Sequence, residues 1–153
     1  MTDLNLAERS TMDMIEKLQD KNNTVAYRFL LELETTSAGS NELYDHFERF
    51  LKLLSHKSSF VRVRGFRLCC AQAQWDSENK LEHHLDELLT ILDDDKSTAV
   101  RQYLSALHTV ILYKPDLCGR IEEKLRTLNL EKYKDSMRPL IEKDIEELRK
   151  AFV

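Results

Sequence analysis

The stretch Leu43-Tyr44-Asp45-His46-Phe47-Glu48-Arg49-Phe50-Leu51-Lys52-Leu53-Leu54 decides the fold. Its Leu43, Phe47, Phe50, Leu51 and Leu54 follow one another in steps of 4, 3, 1 and 3, which is one apolar stripe on a helix of ~3.6 residues per turn. The same steps recur at Leu81, Leu85, Leu88, Leu89 and Leu92. Moved towards the N-terminus, the template falls on Ala7, Thr11, Met14, Ile15 and Leu18; moved onwards, it falls on Leu117, Ile121, Lys124, Leu125 and Leu128. Each of these outer copies misses one apolar position. With Leu18, Leu54, Leu92 and Leu128 as markers, the offsets are 36, 38 and 36 residues.

A second series lies between these helices: Val25/Phe29/Leu33, Val61/Gly65/Cys69, Val100/Leu104/His108 and Met137/Ile141/Ile145, starting 36, 39 and 37 residues apart. Two registers with nearly one period predict four copies of helix, turn, helix, at approximately 1–37, 38–75, 76–114 and 115–153 of a single domain spanning 1–153. The punctuation agrees. Ser37-Ala38-Gly39-Ser40 and Asp76-Ser77 separate repeats, with Ser40 or Asn41 suited to an N-cap, and Ser58 and Ser97 stand where second helices should start. Pro115 suits a first helical position. Pro139 is acceptable if its helix starts near Asp135 or Ser136, which keeps it in the first turn.

Composition sets the class and removes several functions. At 153 residues, 42% apolar and 33% charged, with three Gly and two Pro, the chain predicts one all-α domain with short turns. A net charge of −4 provides no global basic field for nucleic acid or anionic lipid. The longest uncharged run, Gln102 to Tyr113, is 12 residues, against the ~20 of a membrane span. The opening Met1-Thr2-Asp3-Leu4 does not read as a secretory signal, so the expected location is the cytoplasm. Cys69, Cys70 and Cys118 form neither a disulfide framework nor metal-ligand spacing, and are expected reduced and buried.

Val61-Arg62 and Val100-Arg101, opening second helices after a polar turn, together with Ala106 and the weaker copy Met137-Arg138, resemble the HEAT repeat signature; the first repeat departs with Val25-Ala26. That armadillo-type resemblance implies an all-α, right-handed αα-superhelix, a solenoid of about four HEAT-like helix pairs. It also implies an acidic residue in the turn ahead of the arginine: Asp95 suits Arg101, whereas His56 and Lys132 stand before Arg62 and Arg138. The stretches Ser40-Asn41-Glu42-Leu43-Tyr44, Val61 to Leu68 and Tyr133 to Leu140 are similar to a group of short bacterial HEAT-repeat proteins. Some of those carry a SufBD-like label taken from iron–sulfur assembly scaffolds, and the β-helix it implies is at odds with these helical repeats.

Charge is segregated by helix layer: Lys57 to Trp75 carries +4, Lys96 to Lys114 carries +3, and Asp76 to Asp95 carries −7. In HEAT-like solenoids the second helices line the concave face. The resemblance therefore implies a non-catalytic interaction or adaptor surface, with Arg28, Arg64, Arg67, Trp75 and Tyr103 as candidate partner-binding residues and a protein partner, in particular an acidic segment. The alternative is a phosphate-backbone or nucleic-acid binder using Arg28, Arg64 and Arg67, though no interleaved aromatic set accompanies them. The bland reading has Arg62 and Arg101 bridging neighbouring repeats, and Trp75 as a core plug. His83-His84 with Glu87, and Asp93-Asp94-Asp95, lack the further ligands of a metal site. No cofactor motif or catalytic constellation occurs; an enzyme assembled across repeats would be sought first at His108, which is more simply a hydrogen-bonded core histidine.

Overall fold

The computed structural model describes residues 3–152, and every regular element among them is helical. The α-helices are α1 (Asp3–Glu16), α2 (Asn23–Gly39), α3 (Phe47–Lys52), α4 (Ser59–Ala71), α5 (Lys80–His83), α6 (Leu85–Thr90), α7 (Ser97–Tyr113), α8 (Cys118–Arg126) and α9 (Arg138–Lys150). No described helix is long and apolar enough to cross a membrane. The second-series stripes lie on α2, α4, α7 and α9, which pack in that order, each on the next.

The first-series segments are less regular than their stripes suggest. Leu43 to Leu54 becomes a tight turn, Tyr44–His46, then α3, then a second tight turn, Leu53–Ser55. Leu81 to Leu92 is broken at His84, whose ring lies 6.0 Å from that of Phe47. Their apolar sides nonetheless face one core. Leu43, Phe47, Phe50 and Leu51 are buried, as are Leu81, Leu85, Leu88, Leu89 and Leu92, and Leu117, Ile121 and Leu125. In the first copy only Ile15 and Leu18 are fully buried, while Ala7 is exposed, as befits the outermost position.

Local chemistry explains the element ends. The Asn22 side chain accepts the Thr24 and Val25 amides and caps α2. Ser40 Oγ accepts from the Glu42 amide, and the Asp76 carboxylate accepts from the Lys80 and Leu81 amides at the start of α5. Ser58 occupies the N-cap of α4 without a side-chain bond, and Ser97 opens α7 as expected, after Lys96 at the N-cap. Pro139 sits in the first turn of α9, which begins at Arg138, two or three residues later than expected.

Gly65 is a close-approach position. A Cβ there would lie 2.6 Å from Leu53 Cβ and 2.7 Å from the Phe50 carbonyl oxygen. Only a residue without a side chain lets α4 settle this closely on the end of α3.

Candidate functional site

The segregated charge on the second helices is largely spent between neighbouring layers. Arg62 forms a two-pronged pair with Asp94, Nε and Nη2 donating at 3.0 and 3.1 Å, while Nη1 donates to the His56 and Lys57 carbonyls. Burial works to lower its pKa and the Asp94 carboxylate outweighs it, so the net shift is upward. Arg101 pairs with Asp144 at 2.7 Å. Asp95, the acid expected to serve Arg101, lies instead beside Lys132.

Of the three arginines expected to share one basic groove, Arg64 and Arg67 line one hollow, and Arg28 lies apart from it. Arg64 is buried at 4% exposure, with Nη1 donating to the Leu18 carbonyl and Nη2 to Asn23 Oδ1, both at 2.7 Å. Burial lowers its pKa, with only the Asp20 carboxylate opposing. It closes the end of the first helical segment and offers no charge to solvent. Arg67 is half-buried and pairs with both oxygens of Glu34, at 3.0 and 2.7 Å, and its Nη1 reaches Gln102. Arg28 is exposed on a different side of α2, in a shallow cleft with Met14 and Leu31.

Trp75 and Tyr103 also carry bonds inside the chain. The Trp75 indole N–H donates to the Ser37 carbonyl at 2.7 Å, Gln74 donates to the Ser37 and Ala38 carbonyls, and Gln72 donates to Ser37 Oγ. Three side chains that follow α4 or end it thus satisfy the C-terminal end of α2, where carbonyls lack helical partners. Tyr103 is fully buried, edge-on to Phe66 with ring centroids 5.2 Å apart, and donates to Asp94 at 2.8 Å. It is a core residue and lies away from any open surface.

Two carboxylates, Asp76 from the Asp76-Ser77 boundary and Asp94 from the acidic run Asp93-Asp94-Asp95, organise the third layer. Asp76, 4% exposed, accepts the Tyr44 hydroxyl at 2.5 Å as well as its two helix amides, and Lys114 Nζ lies 3.6 Å away. Burial and then Asp76 push the Tyr44 phenol up to about 12. Asp94 gathers Arg62 and Tyr103 on its side chain and Tyr133 on its carbonyl. The signal was available as position: Tyr44 precedes Asp76 by 32 residues and Arg62 precedes Asp94 by the same 32.

A cleft of about 570 Å³ opens to solvent on the second helices between α2, α4 and α7. Its floor is made of small residues, Ala38, Ala71, Ser105 and Ala106, and one end carries Leu112 and Tyr113, 69% and 45% exposed. Arg67 and Gln102 also line a second hollow, of about 340 Å³, that continues the first towards Tyr27 and Phe60, 48% and 58% exposed. The result is a polar centre, Glu34–Arg67–Gln102, between two apolar ends.

Burial raises the thiol pKa of Cys69 and Cys70, the inert direction for a nucleophile. His108 is exposed rather than in the core, while His46 is buried with Nε2 3.4 Å from Glu8. At the His83-His84 step it is His84, not His83, that meets Glu87, at 3.4 Å. Among the described residues no group of three or more His, Cys, Asp or Glu side chains is placed to hold a metal ion. Comparison with protein-family models, curated proteins and solved structures found no match.

Proposed function

We propose that the chain is a non-catalytic interaction module, a short right-handed αα-superhelix of about four HEAT-like pairs, whose second helices bind a protein segment along the two-part cleft. Support for the superhelix comes from the successive packing of α2, α4, α7 and α9 and from side-chain bonds that reach about one repeat along the chain, such as Trp75 to Ser37 and Lys114 to Asp76. Elements that cannot bury a stripe alone stack in this way.

The observation that carries the binding reading is the pair of exposed apolar ends, Tyr27 with Phe60 and Leu112 with Tyr113, separated by a floor of small residues. Large side chains left in water at the ends of a groove serve as pockets for anchoring residues, and a shallow floor lets a backbone lie close. The Gln102 amide, whose oxygen accepts from Arg67, keeps its NH2 for a partner carbonyl. Because Glu34 neutralises Arg67, the partner need not be acidic. The phosphate-backbone alternative finds no support in this placement, with Arg28 apart, Arg64 buried and Arg67 paired.

A random-peptide display library panned against the purified chain, followed by titration with a synthesised binder, tests the reading. Phe60→Asp and Leu112→Asp, both at exposed positions, are expected to weaken that binder at least about tenfold while leaving stability within about 0.5 kcal/mol. Binders insensitive to both substitutions would overturn it.

A further inference from the structure

We infer that the outward face of α1 and α2 is a homodimer interface, in which a second copy of this chain lies against the first across a two-fold axis. The face is the shallow cleft lined by Met14, Arg28, Leu31, Glu32, Thr35 and Thr36. Leu31 is 42% exposed at its centre, flanked along α2 by Arg28 and Glu32, neither of which has an ion-pair partner among the described residues.

The repeat itself marks this face as a packing surface. Arg28 stands 36 residues before Arg64, the offset that also separates Val25 from Val61. Arg64 uses the equivalent place on α4 to bond the layer before it, at Leu18 and Asn23. Arg28 repeats that position on a helix with no layer before it among the described residues.

Two observations favour a second copy, head to head, as the occupant. First, the face is self-complementary. Arg28 and Glu32 are one helical turn apart, so two α2 helices crossing antiparallel about an axis midway between these residues set each Arg28 against the other copy's Glu32, with the two Leu31 side chains beside the axis. Second, the opposite end of the molecule does not match it: the charged side chains Glu142, Lys143, Glu146, Glu147, Arg149 and Lys150 are all exposed on α9, with Leu140 its one exposed large apolar residue. Head-to-tail stacking would bury those charges against Leu31 and Met14, whereas head-to-head pairing buries apolar against apolar and closes at two copies. The cleft on the second helices plays no part in this contact, so loss of peptide binding and loss of the dimer are separate outcomes.

Sedimentation of the purified chain across a concentration series tests the inference. The wild type is expected to dimerise with a Kd of about 10–100 µM, the range of a small interface. Leu31→Asp should leave a folded monomer. Arg28→Glu and Glu32→Arg should each weaken self-association about tenfold or more, because each places like charges opposite one another on both sides of the axis. Mixed in equal amounts, these two variants should form a heterodimer, since every opposed pair then carries opposite charges; this arm also shows that neither variant has simply unfolded. A wild type that stays monomeric well above that range, or two variants that fail to associate when mixed, would overturn the proposal.

Discussion

The Tyr44 hydroxyl donates to the Asp76 carboxylate at 2.5 Å and accepts from the Glu78 amide at 3.0 Å, so one phenol ties the start of the second repeat to the entry of α5. Asp76 also caps α5 through the Lys80 and Leu81 amides. Asp76→Ala is therefore expected to cost about 3–5 kcal/mol, since it removes a cap, takes the acceptor from the buried Tyr44 hydroxyl and leaves Lys114 without its carboxylate. Tyr44→Phe should cost only about 1–2 kcal/mol, because the carboxylate keeps its amide donors. Urea unfolding of both variants checks the order; equal losses would show that the phenol, rather than the cap, dominates.

Arg64 is expected to behave as a structural residue. Arg64→Met should destabilise by about 2–3 kcal/mol by leaving the Leu18 carbonyl and the Asn23 side chain without their donor. A peptide bound in the cleft should keep its affinity in the folded fraction. Calorimetric titration with thermal melts separates the two effects, and a tenfold loss of affinity at unchanged Tm would return Arg64 to the binding surface.

Gly65→Ala is expected to be among the most damaging single-methyl additions to the chain. Its Cβ would meet Phe50 oxygen and Leu53 Cβ, both held by backbone, so α4 must move. A loss of about 3 kcal/mol or more is expected from overpacking, measured by chemical denaturation. An alanine at Gly119, where a Cβ meets nothing within 4 Å, serves as the neutral comparison.

Raised phenol pKa values give the fold an alkaline limit. Burial, with the nearby Asp76 or Asp93 to Asp95 carboxylates, pushes Tyr44 and Tyr133 up to about 12. An unfolded tyrosine ionises near ~10, so the folded state holds these protons more tightly. The stability they contribute is fully present below pH ~10 and is lost as pH rises through about 12. Tyrosinate absorbance followed together with far-UV circular dichroism should show both phenols ionising as the helices melt; ionisation well before melting would contradict this.

The helical stripes were legible because a buried face demands apolar residues at fixed steps, and Leu81, Leu85, Leu88, Leu89 and Leu92 all lie in the core where spacing put them. The same logic failed at His108, which holds an apolar-register place on α7 yet faces solvent. Side-chain charge was harder to read. Arg62, Arg64 and Arg67 look alike in sequence, but one meets Asp94, one is buried under Leu18, and one meets Glu34. Such pairings depend on which layer lies opposite, and local spacing carries no record of that. Tyr103 misled for the same reason: its place on a second helix made it a candidate for the binding face, while Asp94, nine residues earlier, allows it to be buried whole.

Asp94 holds donors from the stretch before it and from the stretch after it, through Arg62 on one side and Tyr133 on the other. A chain tied at its middle in this way cannot begin to come apart there. Fraying must start from the outer helices and travel inwards, so amides of α7 should be the last to exchange with deuterated solvent, and the age of any opening could be told from how far along the chain it has spread.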